Sequence, residues 1–262
     1  MIWIIFIAVM VLSFIVQNTL QGRFRKYSQV PLRSGMTGAE VAMKMLNDNG
    51  IYDVKVVPHN GMLTDHYNPA TRTVALSEGV YASRSVAAAA VAAHECGHAV
   101  QHAVGYAPLK MRSALVPVVS FASNIVQWVL LLGIIMVNSF PALLWFGIAL
   151  FAMTTLFSVI TLPVEINASQ RAVAWLSGSG ITDSETTPMA VDALKWAAYT
   201  YVIAAIGSLA TLLYYVAIAM GARRDRQYQG NRYEKHYCET AAAGCIACGS
   251  FRNPGLCRRK GS

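Results

Sequence analysis

Residues 94–98 read HECGH, which places two histidines four positions apart with a glutamate beside the first. The preceding segment is rich in alanine, so the motif is expected on a helix, where His94 and His98 share one face. Two neutral imidazoles there suit a zinc ion, and Glu95 lies where its carboxylate can act on a metal-activated water. The motif predicts metal-dependent hydrolysis, although five residues can also match by chance on an ordinary core helix.

Glu165 is the candidate for a third ligand, because it directly follows two apolar runs. The runs at 114–137 and 140–162 contain no charged residue, and each exceeds the roughly 20 residues that span a bilayer. They are expected to form a transmembrane hairpin, and two crossings return the chain to the face it left. Glu165 then joins the two histidines, and three protein ligands leave the fourth zinc position open. The alternative is an ordinary carboxylate at a helix N-terminus, favoured by the helix dipole.

The composition indicates a membrane protein. Hydrophobic residues make up 55% of the 262 residues, charged residues only 13%, and the mean hydropathy is +0.42. The net charge of +8 is expected to reflect basic loops near acidic lipid, because no nucleic-acid-binding module accompanies it. An apolar stretch at 1–20 is followed by Arg23, Arg25 and Lys26, which predicts an uncleaved membrane anchor rather than a signal peptide.

The predicted fold is a mainly α membrane protein with about four transmembrane helices and a small α+β zincin-like catalytic region on one face. Its expected parts are, in chain order, an N-terminal anchor (1–22), a soluble region with the HECGH helix (23–113), a transmembrane hairpin (114–162), a Glu-ligand helix and loop (163–196), a fourth transmembrane helix (197–221) and a basic tail (222–262).

Within the soluble region, Thr37 and Glu40 predict a capping box at the start of a helix that Asn49 and Gly50 end. Strands are predicted at 53–57 and 71–76, with a loop at 65–69. The second strand precedes the HECGH helix. It is either an edge strand that pairs with an extended peptide or a plain structural strand.

Several longer motifs resemble those of the YugP-type neutral zinc metallopeptidases of bacterial membranes, over about residues 1–225. The matching stretches are LTDHYNP at 63–69, AVAAHECGHAVQH at 90–102, APLKMRSALVP at 107–117, LPVEINASQRA at 162–172 and TYVIAAIGSLATLLYY at 200–215. The resemblance implies His94, His98 and Glu165 as zinc ligands and Glu95 as the catalytic acid/base. The chain is also similar to the membrane zinc proteases that include the prenyl-protein proteases, which carry an Asp where this chain has Ser169.

The predicted reaction is hydrolysis of peptide bonds in a protein or peptide substrate, with zinc as cofactor. Glu95 takes a proton from the attacking water and returns it to the leaving amine. A further donor is expected to stabilise the oxyanion. Of four candidates, Tyr201 is favoured, although packing or interfacial roles are open for each tyrosine. The other candidates are Tyr199, His66 and Arg171. His102 lies four positions beyond His98. It either extends the ligand face of the helix or is a histidine that is solvated or only contacts a ligand.

Two alternative functions stay open on the sequence. An intramembrane protease also uses HExxH, but it places the motif within a spanning helix. A non-catalytic membrane scaffold or chaperone-like protein could retain a zinc site. The tail carries Cys238, Cys245, Cys248 and Cys257, which could form a four-cysteine zinc knuckle, but their irregular spacing favours a disordered basic tail.

The charge pattern conflicts with a simple topology. Residues 21–113 contain ten Lys or Arg, which the positive-inside rule places in the cytoplasm. Four crossings then export the tail, which carries nine. The first span usually dominates orientation, so the catalytic face is predicted to be cytoplasmic, and the family resemblance implies a bacterial plasma membrane.

Overall fold

The structure, a computed structural model, describes residues 2–61 and 64–247 and is mainly helical. The helices are α1 (Ile2–Tyr27), α2 (Gly38–Asp48), α3 (Glu78–Tyr81), α4 (Val86–Ala103), α5 (Ala107–Ile135), α6 (Pro141–Gly178) and α7 (Thr187–Ala247). The strands are β1 (Lys55–His59), β2 (His66–Asn68) and β3 (Thr73–Ser77).

Long apolar helices dominate the chain, as its composition predicted. Within the described residues, four helical segments are long and apolar enough to cross a bilayer: Phe6–Tyr27, Ala107–Ile135, Pro141–Gly178 and Thr187–Glu234. The HECGH helix, α4, is not among them. The prediction of about four membrane-length helices beside a small mixed region is therefore confirmed.

The chain forms two compact units. One extends to Ile125 and includes Leu150–Leu212, and the other comprises Val126–Ala149 and the chain from Leu213. In the second unit the end of α5 and the start of α6 pack closely, because a Cβ at Gly133 would lie 2.7 Å from Leu144 Cα. The HECGH helix and Glu165 both belong to the first unit.

Two helix boundaries differ from the predictions. Glu165 does not open a helix, because α6 continues through Pro163. A proline inside an apolar span is tolerated where neighbouring groups satisfy the backbone groups that it frees. A helix-terminal role for Glu165 is therefore wrong.

α7 is also longer than predicted, since it joins the segment 189–196 to the fourth span and continues to Ala247. The disordered tail predicted from residue 222 is thus helical as far as Ala247, because arginine, glutamate, lysine and alanine favour helix there. Cys248 and Cys257 lie outside the described residues, so the proposed cysteine knuckle remains a prediction.

The strand order of the sheet decides between the two alternatives for the strand before the HECGH helix. Within the described residues its strand order is β1-β3-β2, with β1 parallel and β2 antiparallel to β3. β3 is central, so it offers no free edge for a peptide. The edge strand is β2, which lies in the segment predicted as a loop and pairs Tyr67 with Val74. Asn68 Oδ1 accepts hydrogen bonds from the backbone amides of Ala70 and Thr71, which forms the turn between these strands.

Local signals position α2 and α4 as the sequence predicted. Thr37 and Glu40 form the capping box of α2, which ends at Asp48 before Asn49. Ser85 caps α4 by accepting a hydrogen bond from the Ala88 amide. The alanine-rich start of α4 is fully buried against α2 and the sheet. Small side chains allow that close approach, so α4 is held firmly before it reaches the histidines.

Candidate metal centre

Two helices bring three potential ligands together. α4 carries His94 and His98, and α6 carries Glu165, whose Oε2 lies 3.2 Å from His94 Nε2 and 3.5 Å from His98 Nε2. The donor atoms of the three side chains all lie within 4.8 Å of one another. The prediction that two membrane crossings return Glu165 to the histidines therefore agrees with the geometry.

The centre is buried and its electrostatics favour a cation. Glu165 is 3% exposed and His98 is 8% exposed. Burial lowers the pKa of His98, but the Glu165 carboxylate and the charge of Glu95 raise it more, so this pKa lies above its ordinary value. Positive charge between these groups is thus stabilised, and a zinc ion supplies it while the imidazoles stay neutral.

Arg112 on α5 contacts the outer side of Glu165. Its Nη1 lies 3.2 Å from Oε1, whereas Oε2 faces the histidines. The guanidinium therefore holds one carboxylate oxygen away from the candidate metal position and leaves the other available as a single ligand atom. Arg112 is partly exposed, and its neighbourhood includes the larger cavity described below. Nothing in its local sequence marks Arg112 as a partner of the cluster.

Each histidine has a hydrogen-bond partner on the ring nitrogen that faces away from Glu165. His98 Nδ1 lies 3.0 Å from Gln101 Oε1, and His94 Nδ1 lies 3.1 Å from Ser169 Oγ. Such partners orient a ligand imidazole and direct the lone pair of the other nitrogen to the metal. Ser169, which replaces the Asp of the prenyl-protein proteases, thus lies against His94.

The orientation of the Gln101 side-chain amide can be deduced from its neighbours, because a backbone carbonyl can only accept a hydrogen bond and an arginine can only donate one. Its Nε2 donates to the Val164 carbonyl at 2.8 Å and to Asn167 Oδ1 at 3.0 Å. Asn167 Oδ1 also accepts from Arg171 Nε at 2.8 Å, and arginine has no acceptor. Gln101 Oε1 must therefore face His98, and His98 carries its proton on Nδ1. His98 Nε2 is then free to bind a metal.

We expect Gln101→Met to weaken zinc binding by about 10- to 100-fold, the range typical for loss of a partner of a ligand histidine. Gln101 is fully buried, so the change also leaves the His98 N–H without its acceptor and removes the donor to Val164 and Asn167 on α6. Zinc competition with a fluorescent chelator measures the affinity. Gln29→Met, on an exposed loop, is the control. Equal affinity in both variants would contradict this positioning role.

Gly97, inside the HECGH motif, permits the contact between α4 and α6. A Cβ at Gly97 would lie 2.7 Å from the Ala168 carbonyl oxygen and 3.2 Å from its carbonyl carbon. Backbone atoms of a packed helix cannot yield as a flexible side chain can, so a methyl group there separates the two helices. Both ligand-bearing helices meet at this point, one turn from Glu165.

We therefore expect Gly97→Ala to lower stability by about 1–3 kcal/mol through overpacking. It should also lower zinc affinity at least tenfold, because Glu165 moves away from the histidines. Thermal unfolding with and without zinc separates the two effects. Gly178→Ala is the matched control on α6, since a Cβ there meets nothing within 4 Å. If Gly97→Ala bound zinc normally, the close approach would not define the centre.

Two cavities meet at the candidate metal centre. One of about 160 Å³ lies against α4, α6 and α7, with an apolar wall that includes Val91 and Leu194. The other, about 440 Å³, is bordered by β2 and α5. Both are lined by five of the same residues, namely Asp65, His94, Glu95, Glu165 and Tyr201. The candidate metal position therefore has open space on two sides.

β2 forms one border of the larger cavity. His66, Tyr67 and Pro69 line it, and the strand is an edge of the sheet. An edge strand presents unpaired main-chain groups that fit an extended peptide of any sequence. An edge strand therefore lies beside the histidines, although it is β2 rather than the strand considered from the sequence, and peptide pairing there remains a prediction.

The predicted oxyanion donors divide into two groups. Tyr201 and His66 line cavities at the centre, and Tyr201 lines both. Arg171 instead donates to Asn167, and Tyr199 lines neither of the two cavities. His102 is hydrogen-bonded to the Tyr67 hydroxyl at 2.9 Å rather than facing Glu165. Tyr201 and the unpredicted Arg112 are thus the best placed donors.

Cys96 lies within the motif but is not a reactive thiol. It is fully buried, its Sγ lies 3.5 Å from the Ala42 carbonyl oxygen, and burial raises the pKa of the thiol. A raised pKa leaves little thiolate for metal binding or oxidation. Cys96 therefore serves the contact between α4 and α2.

A buried His-His-Glu cluster in a chain with four membrane-length helices, counted over the described residues, is the combination expected of a membrane metallopeptidase. The family described as "Putative neutral zinc metallopeptidase" matches residues 2–220. The chain belongs to this family. It is 45% identical over 219 residues to the "Putative membrane protease YugP" of Bacillus subtilis (strain 168), covering 84% of this chain and 96% of that protein. No solved structure matches.

Proposed function

We propose that this protein is a membrane-embedded zinc metalloendopeptidase that hydrolyses peptide bonds of proteins. The observation that carries the proposal is the buried cluster of His94, His98 and Glu165, with Glu95 beside it on the walls of both cavities. The name of the family and that of the Bacillus subtilis relative support the same reaction class. Because both names are general, the residue roles below are our own assignments.

In this proposal His94, His98 and Glu165 hold the zinc ion. The donor set suits zinc, since it offers two imidazole nitrogens and one carboxylate oxygen and leaves a position for water or substrate. When bound, zinc polarises the scissile carbonyl and makes the attacking water more acidic. Arg112 keeps Glu165 Oε1 turned outward, while Gln101 and Ser169 orient the imidazoles.

Glu95 is the general base in this mechanism. Its carboxylate takes a proton from the attacking water and passes it to the nitrogen of the leaving amine. Glu95 is 9% exposed, so little bulk water competes for that proton. Tyr201, which lines both cavities, is proposed to donate its hydroxyl to the developing oxyanion. The polypeptide is proposed to lie along β2 through the larger cavity.

This mechanism requires a zincin-like placement of a short sheet and the HECGH helix on one face of the membrane. The order of α4 after the sheet and the uncharged stretch from Pro141 to Val164 support that placement. The bilayer and a protein or peptide substrate are the proposed partners, and nucleic acid is not. The bacterial plasma membrane and a cytoplasmic catalytic face remain part of the proposal.

Purified protein in detergent or liposomes tests this proposal with casein as the substrate. We expect about one zinc per chain, and cleavage that stops with a chelator and returns with added zinc. A non-catalytic scaffold would bind zinc without cleaving casein. An intramembrane protease would cut only within an apolar span. The absence of α4 from the membrane-length helices argues against that second alternative.

A further inference from the structure

An apolar groove continues from the candidate metal centre along the C-terminal part of α6 and the N-terminal part of α7. Its volume is about 490 Å³, and its walls include Val173 and Ala174 on α6 and Val191 and Val202 on α7. Its lining is almost entirely apolar, with Lys195 among the few charged or polar exceptions.

The groove is continuous with the smaller of the two cavities at the centre. Ser169, Leu194 and Ala198 line both. Ser169 is also the residue that contacts His94 Nδ1 at 3.1 Å. An apolar chain in the groove therefore ends within one side chain of a candidate zinc ligand. The groove and the cavity at the metal position therefore adjoin one another.

The groove lies where the two helices enter the membrane. On α6 the uncharged stretch ends at Val164, directly before Glu165 and the groove residues. On α7 the uncharged stretch begins at Trp196, directly after Lys195. Trp196 and Tyr199 pack edge to face there with ring centroids 5.4 Å apart. Tryptophan, tyrosine and lysine at the end of an apolar stretch mark a membrane–water interface.

We propose that the groove binds the apolar juxtamembrane segment of a membrane-anchored polypeptide, and that the enzyme cleaves the chain where it emerges from the bilayer. This inference rests on the proposed peptidase function and names its substrate class. An apolar segment that leaves the bilayer finds an apolar wall at the same depth, and the following residues reach the metal centre. A soluble peptide fills the cavities but gains nothing from the groove.

The experiment compares two substrates in liposomes of phosphatidylethanolamine and phosphatidylglycerol that contain the full-length protein. One is a casein peptide that the protein cleaves, and the other is the same peptide fused to a 20-residue apolar helix. The readout is kcat/KM for the anchored substrate divided by kcat/KM for the soluble one. Val202→Trp fills the groove. Ile206→Trp, one turn further along α7, 54% exposed and outside the groove, is the control.

We expect Val202→Trp to lower this ratio about tenfold, mainly through KM of the anchored substrate. A tenfold loss is the size expected when one large apolar side chain is no longer buried. Ile206→Trp should leave the ratio unchanged. Val191→Trp, at the other end of the groove, should repeat the result if Val202→Trp fails to fold, as judged by zinc content.

An unchanged ratio in a folded groove variant would overturn the inference and mean that only bilayer lipid occupies the groove. An equal fall in the control variant would overturn it as well. Failure of the proposed function is distinguishable, because neither substrate would then be cleaved in a zinc-dependent manner.

Discussion

Glu95→Gln should abolish peptide hydrolysis while zinc stays bound. Glutamine has nearly the same shape as glutamate, but its amide cannot take a proton from the attacking water. A positioned general base contributes about 10²–10⁴-fold to rate, so casein cleavage should fall at least a hundredfold. Glu95 is not one of the three clustered donor groups, so one zinc per chain should remain.

Casein cleavage and zinc content are measured on the same preparation of Glu95→Gln. Glu185→Gln is the matched control, because the Glu185 carboxylate lies in the exposed loop before α7 and is 74% exposed. That variant should cleave normally. If Glu95→Gln kept its proteolysis, another base would act and the assignment would fail. If it lost zinc, Glu95 would hold the metal.

Glu165→Ala should greatly weaken zinc binding. The change removes the one ligand that α6 supplies and leaves two histidines on α4. We expect the zinc affinity to fall more than a hundredfold. Loss of a ligand should exceed the 10- to 100-fold loss that is typical when a residue hydrogen-bonded to a ligand is removed. Arg112 also loses its carboxylate partner, so the variant should be less stable than the parent in the presence of zinc.

The metal content of Glu165→Ala after dialysis measures this effect, and circular dichroism confirms that the helices remain. Glu165→Asp is the informative intermediate, because it keeps the charge but shortens the side chain by one methylene group. It should retain weak zinc binding and little activity. Normal zinc content in Glu165→Ala would mean that a different residue completes the site.

The candidate centre was largely predictable because its chemistry depends on spacing and on a count of crossings. His94, Glu95 and His98 follow from one helical turn, and Glu165 follows from two uncharged runs of membrane length. Arg112 and Gln101 could not be found this way. Their importance depends on contacts between helices, and nothing in their local sequence marks a partner.

For the fold, the elements that depend on local sequence were predicted, and those that depend on contacts between distant segments were not. The capping box of α2 and the apolar helices depend on local signals. β2 has three residues, too few to show alternation, and it exists only because β3 pairs with it. A proline such as Pro163 usually ends or kinks a helix, but α6 continues through it.

The division of the ligands between α4 and α6 has a consequence for biosynthesis. The two histidines are synthesised about 70 residues before Glu165, and the hairpin formed by α5 and α6 lies between them. A nascent chain whose hairpin has not entered the bilayer therefore lacks its third ligand. Under the proposed peptidase function, such a chain would hold zinc poorly. Proteolytic activity would then arise only after the hairpin has inserted, so that the membrane itself would activate the enzyme.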